Sequence, residues 1–69
     1  MGDIAIAVNG DSCRVPSGST VADLVQARGL TPTQVAVEVN QDLVPRDARA
    51  ETPLREGDRV ELVTLVGGG

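Results

Sequence analysis

Asp3-Ile-Ala-Ile-Ala-Val-Asn-Gly-Asp-Ser-Cys-Arg-Val15 opens the chain and sets its architecture. Ile4, Ile6 and Val8 fall on one side of a period of two, and Ala5 and Ala7 on the other, the pattern of a half-buried strand. Asn9-Gly10 is the strongest short hairpin signal, because the favoured two-residue turn needs positive φ at both central positions. Cys13 and Val15 resume the alternation on the core side of a second strand, and Pro16-Ser17-Gly18 ends it. A hairpin cannot bury its apolar face alone, so the rest of the chain must cover it.

The cover follows at once. A hydroxyl of Ser19 or Thr20 can cap the free amides of a helix start, and Asp23 suits the positive end of the helix dipole. Val21, Leu24 and Val25 then fall at i, i+3 and i+4, one apolar helical face. Gly29 sits where a left-handed C-terminal cap belongs, and Pro32 prevents simple continuation. Val35, Val37 and Val39 alternate inward along a further strand. Asn40-Gln41-Asp42 turns, and Leu43-Val44 is a short strand stopped by Pro45. Residues 46–53 show no period and read as loop with at most one short turn or strand. Leu54 is expected to plug the core, and Arg55-Glu56-Gly57-Asp58 turns into a last strand over 58–66. There Val60, Leu62 and Thr64 share one face, with Arg59, Glu61, Val63 and Leu65 on the other.

The order is hairpin, helix, strand, short strand, loop, last strand. It predicts an α+β domain over residues 1–66: a mixed sheet of four to five strands with one main helix across one face. The first and last strands are the expected central pair. This is the layout of the β-grasp, or ubiquitin-like, fold. Residues 67–69 are expected to form a flexible tail that leaves from the last strand.

Composition bounds the chemistry. The 69 residues make one domain, and hydrophobic residues are 41% of them with no Phe, Tyr or Trp. The core must therefore be Val, Leu, Ile and Ala, and base stacking on nucleic acid has no aromatic platform. A net charge of −4 and a pI near 4.4 disfavour phosphate backbones and anionic membranes, and fit a protein partner with a basic groove. All six basic residues are arginines. The absence of lysine removes P-loop and Schiff-base mechanisms. Cys13 is the sole cysteine and there is no histidine, so disulfides within the chain, zinc sites and iron–sulfur sites are not expected. No stretch reads as a membrane span or signal segment, and Met1-Gly2 lacks the downstream Ser or Thr of a myristoylation motif. A soluble cytoplasmic protein is the expectation.

No nucleophile–base pair can be assembled in the usual way. Cys13 belongs to a core face, and the acidic residues are dispersed over turns and outer faces. Ser17-Gly18-Ser19-Thr20 resembles a weak anion site, but a plain turn plus helix cap describes it better. The chain does not read as an enzyme. What remains is Val66-Gly67-Gly68-Gly69. A frayed terminus is the plain reading; the functional one is a thread without side chains, reaching about 10 Å when extended, that can enter a narrow channel. Adenylation of a Gly69 carboxylate would make it an acyl donor. A sulfur nucleophile would then give a thiocarboxylate, and an amine a conjugate. Val63 and Leu65, with Ala5 and Ala7 on the adjacent strand, would form an apolar docking patch beside that thread.

These stretches together resemble the ThiS family of sulfur carriers, which serve thiazole synthesis in thiamine biosynthesis. The resemblance runs through the Ile-Ala-Val-Asn-Gly hairpin, the Thr20–Arg28 helix, Val35-Ala-Val-Glu-Val-Asn40 and Leu43-Val44-Pro45-Arg46. It continues through Leu54-Arg-Glu-Gly-Asp-Arg-Val60 to Val66-Gly67-Gly68-Gly69. It implies that Gly69 is adenylated by a ThiF-like, E1-related adenylyltransferase and converted to the thiocarboxylate with sulfur from a cysteine desulfurase or another donor. Gly67 and Gly68 would form the inserted tail, and a ThiG-like thiazole synthase would receive the sulfur. Val63, Leu65 and Val66 are the docking residues expected from the strand pattern. The chain itself would hold no cofactor. Alternatives of the same build are a MoaD-like or other carrier for molybdopterin, cysteine or methionine synthesis, and a non-reactive ubiquitin-like interaction module.

Overall fold

The computed structural model describes residues 2–65. Strand β1 (Asp3–Val8) turns back through Asn9 and Gly10 into β2 (Asp11–Pro16), antiparallel from Asp3 opposite Pro16 to Val8 opposite Asp11. φ is 51° at Asn9 and 87° at Gly10, as the type I′ turn requires. Cys13 and Val15 are half-buried against the core, as their alternation predicts.

Helix α1 (Val21–Ala27) is held at both ends. The Thr20 hydroxyl accepts from the Asp23 amide at 3.2 Å, and the Asp23 carboxylate accepts from the Thr20 amide at 2.9 Å. Asp23 is thus half of a reciprocal capping box as well as a partner of the dipole. Such a cap contributes about 1 kcal/mol. At the other end Leu30 donates to the Val25 carbonyl and Gly29 to that of Gln26. This Schellman closure needs the left-handed φ of 69° that Gly29 adopts. A helix of seven residues is marginal in water. It holds here because Val21, Leu24 and Val25 are buried against the sheet.

The remaining strands are β3 (Val35–Val39), β4 (Asp42–Val44) and β5 (Arg59–Thr64). The sheet order is β2-β1-β5-β3-β4. β5 runs parallel to β1 and antiparallel to β3, so it is the central strand with β1 beside it. With α1 across one face, this is the β-grasp arrangement that the order of elements predicts. Ile6, Val8, Val35, Val37, Val60 and Leu62 line the inner face, closed by Val44 and Leu54. Each such side chain contributes roughly 1.5–3 kcal/mol on full burial.

Two segments exceed the sequence expectation. Pro32–Gln34 is a 3₁₀ turn leading into β3. The aperiodic stretch after Pro45 contains a longer 3₁₀ helix, Arg46–Glu51. Beyond it, Val21 donates to the Thr52 carbonyl and Leu54 to that of Ser19. These bonds pin the chain to the start of α1 and seat Leu54 in the core. β5 is also shorter than the expected 58–66: its last paired residue is Thr64, and Val66 lies outside the described residues.

Candidate functional site

β5 is gripped along both edges. On the β1 side the ladder register has two pairs, Ala7 opposite Arg59 and Val8 opposite Val60. Loop and side-chain groups extend it in both directions. Before the strand, Gly57 donates to the Ala5 carbonyl, and Ala5 donates to the Glu56 carboxylate at 3.0 Å. After β1, the Asn9 side chain behaves like one more strand residue. Its Oδ1 accepts from the Leu62 amide at 2.7 Å, and its Nδ2 donates to the Leu62 carbonyl at 3.2 Å.

On the β3 side five pairs run from Val39 opposite Val60 to Val35 opposite Thr64. Asn40 caps the start: its Oδ1 accepts from the Arg59 amide at 3.0 Å, and its Nδ2 donates to Asp58 at 3.1 Å. At the far end the Leu65 amide donates to the Gln34 carbonyl at 2.7 Å. The root of the C-terminal segment is therefore tied to the 3₁₀ turn that precedes β3.

The outer face of the sheet carries the exposed apolar residues. Val63 is 54% exposed, Leu65 52% and Leu43 66%. Ala36 stands opposite Val63, and Glu38 stands between Glu61 and Leu43. The expected association of Val63 with Ala5 and Ala7 is not found. The parallel register sets Ala7 beside Arg59, four residues before Val63, with Ala5 further back still. Val63 instead shares its side of β5 with Ala36 and Leu43. Leu43 was open to sequence reasoning: if Val44 points inward, its neighbour in a period of two points outward. Of the remaining expected site residues, Val66, Gly67, Gly68 and Gly69 lie outside the described residues.

The other sequence candidates are accounted for locally. The Ser19 hydroxyl donates to the Pro16 carbonyl at 2.6 Å and the Thr20 hydroxyl caps α1, so that segment is turn plus cap. Cys13 is half-buried, with its thiol 3.9 Å from the Arg14 carbonyl. Among the described residues no group of three or more His, Cys, Asp or Glu converges, and no helix is long and apolar enough to cross a membrane.

One residue was not foreseen. Arg49, from the 3₁₀ helix Arg46–Glu51, is only 6% exposed. It lines a groove of about 760 Å³ between that helix and α1, together with Val25, Leu30 and Arg46. Its Nη1 donates to the Pro32 carbonyl at 3.0 Å and its Nη2 to the Val35 carbonyl at 2.6 Å. No periodicity marks the stretch it comes from, and its partners lie 17 and 14 residues away.

The arrangement offers exposed Val63, Leu65 and Leu43 on one sheet face, with Glu38 and Glu61 between Val63 and Leu43, beside a strand anchored along both edges. Over residues 6–69 the chain matches the model of the ThiS family. A thiazole synthase of Paramagnetospirillum magneticum is 33% identical over 64 residues, which is 93% of this chain and 20% of that protein. The chain thus spans about a fifth of the length of the thiazole synthases it matches. The sulfur carrier protein ThiS of Escherichia coli is 28% identical over 93% of this chain and 97% of its own length. The crystal structure of the thiamine biosynthesis protein ThiS from Geobacter metallireducens superposes with a TM-score of 0.81 at 30% identity, covering 96% of this chain and all of that one. With hairpin, capped helix and central last strand in place and a family match that reaches residue 69, this chain belongs to the ThiS family.

Proposed function

We propose that this chain is a sulfur carrier for thiazole formation in thiamine biosynthesis, a protein co-substrate rather than an enzyme. The carrying observation is that the family match continues through Gly67, Gly68 and Gly69. In this reading a carboxylate oxygen of Gly69 attacks the α-phosphorus of ATP on a ThiF-like adenylyltransferase and pyrophosphate leaves. The acyl-adenylate is then attacked at its acyl carbon by the terminal sulfur of a persulfide on a cysteine desulfurase or another donor. AMP departs with the former carboxylate oxygen, and a thiol then cleaves the resulting acyl disulfide, forming a disulfide with the donor's cysteine and releasing the thiocarboxylate. Gly67 and Gly68 supply backbone without side chains, which lets the reacting carbon approach closely.

The receiving partner in this reading is a ThiG-like thiazole synthase. Relatives named thiazole synthase carry a ThiS-like segment within one longer chain, which favours carrier and synthase working in contact. Val63 and Leu65, with Val66 beyond them, are the docking residues, and the exposed Leu43 and half-buried Ala36 extend the surface they offer.

The test is the intact mass of the untagged protein after incubation with ATP, the adenylating enzyme and a sulfur donor. The expected result is replacement of one oxygen by sulfur, confined to the fragment containing Gly69 and abolished by one added residue after it. An unchanged mass, with an enzyme active on another ThiS protein, would favour a non-reactive interaction module instead.

A further inference from the structure

A buried guanidinium is an unusual component of so small a core, and its placement gives it a task. Arg49 reaches from the 3₁₀ helix Arg46–Glu51 to both ends of the turn Pro32–Gln34. Nη1 donates to the Pro32 carbonyl and Nη2 to the carbonyl of Val35, the residue just after the turn. Between those two carbonyls lies that of Gln34, which accepts from the Leu65 amide. Val35 also stands opposite Thr64 in the β3–β5 register. One side chain is therefore fastened on each side of the acceptor that holds the end of β5.

Stability alone does not single out arginine. Among the described residues no carboxylate forms an ion pair with Arg49, and its buried Nε has no hydrogen-bond partner. Two carbonyl dipoles offset the charge only in part. An apolar side chain there would remove the buried charge but leave the Pro32 and Val35 carbonyls without their donor, and a buried acceptor left unpaired is destabilising. What arginine supplies is a rigid planar fork that makes two charge-assisted bonds in a fixed geometry. Methionine would fill the space without fixing the carbonyls.

We propose that Arg49 is a positioning residue: it fixes the turn Pro32–Gln34 and, through the Gln34 carbonyl, the position of Leu65 at the end of β5. Its consequence for reactivity rests on the sulfur-carrier reading, because the residues that follow Leu65 are the ones that would enter an adenylating pocket. The positioning itself does not rest on that reading.

The experiment compares Arg49→Met and Arg49→Lys with the unaltered chain by amide hydrogen exchange and thermal melting. Met removes both charge and fork, whereas Lys keeps the charge and loses the fork. Both are expected to speed exchange at Leu65 and Gln34 at least tenfold. The Asn9 and Leu62 amides, bonded on the β1 side of β5, serve as internal references and should keep their protection. The Met variant is expected to melt below the unaltered chain while remaining folded under the exchange conditions, since the Pro32 and Val35 carbonyls lose their donor. With the adenylating enzyme, kcat/KM for the carrier should fall about tenfold in both variants.

Protection lost in step at Leu65, Asn9 and Leu62, or failure of both variants to fold, assigns Arg49 to general stability and overturns the proposal. Unchanged exchange at Leu65 in a folded variant also overturns it. If exchange at Leu65 responds as expected but the unaltered chain is never adenylated, the carrier reading fails and the positioning role stands.

Discussion

The two hairpins of this sheet are built alike and hold the central strand differently. Each closes with a two-residue turn whose central residues both have positive φ: Asn9 and Gly10 between β1 and β2, Asn40 and Gln41 between β3 and β4. In each, the asparagine carries a side-chain amide that bonds β5. The first hairpin meets β5 in parallel with two register pairs, the second antiparallel with five. Where the ladder is short, a side chain continues it; where the ladder is long, a side chain only caps its start. The same residue type at the same turn position thus has unequal weight, set by how much backbone pairing surrounds it.

The largest expected effect breaks that symmetry directly. Asn9→Gly and Asn40→Gly both keep the left-handed turn and both delete a side-chain amide, so their difference isolates the two grips. Asn9 loses two part-buried bonds to Leu62, and the change should cost about 2 kcal/mol at roughly 1 kcal/mol per bond. That corresponds to a melting midpoint lowered by roughly 10 °C. The Asn40 bonds are exposed, water replaces them, and the cost should stay within about 0.5 kcal/mol. Equal losses in thermal melts would show that ladder length does not decide the weight of the grip.

The next effect concerns what the two sides display. On the β3 side Val63 faces Ala36, with the exposed Leu43 on the strand beyond. On the β1 side Ala7 sits beside Arg59. The hairpins therefore differ in their outer surface as well as their pairing, and docking should belong to the second. Val63→Ala and Leu43→Ala are each expected to weaken binding to the thiazole synthase about tenfold, or about 1.4 kcal/mol. Ala7→Ser should leave binding unchanged, and all three should melt near the unaltered midpoint. Calorimetric titration decides it; a loss confined to Ala7→Ser would move the docking surface to the first hairpin.

This difference between the hairpins also marks how far the sequence could be read. Alternation in 3–8 and 35–39, the Asn9-Gly10 turn and the Thr20 cap are local signals, and each lands where its own residues dictate. The place of Ala7 relative to Val63 depends on the register between strands far apart in the chain. A period of two assigns faces and leaves open the pairing between such strands. The grip of Asn9 on Leu62 was hidden for the same reason, its turn role being visible and its tertiary role not. Arg49 was the least legible. Its partners are backbone carbonyls with no residue preference, and its own stretch has no repeat from which an inward side could be inferred. At the outer face the alternation did mark Val63 and Leu65 as exposed. The residues that would react, Gly67 to Gly69, stand on the family resemblance and on the family match through residue 69.

The smallest effect tests the turns themselves. Gly10 adopts φ of 87° in the first hairpin, whereas the equivalent position of the second is Gln41 at φ 73°. A residue with a β-carbon in this region is crowded against its own backbone, at a cost of about 1–2 kcal/mol. Glycine avoids that crowding but loses more freedom on folding, which returns roughly 0.5–1 kcal/mol of the gain. Gln41 is exposed, so its replacement removes little packing. Gln41→Gly should therefore stabilise the chain by about 0.5–1 kcal/mol, a melting midpoint higher by a few degrees. The reciprocal Gly10→Gln should lower stability by a similar amount, and the double exchange should come out near neutral. If Gln41→Gly destabilises instead, the second hairpin draws something from its glutamine that backbone geometry does not reveal. The two turns would then be alike in φ alone.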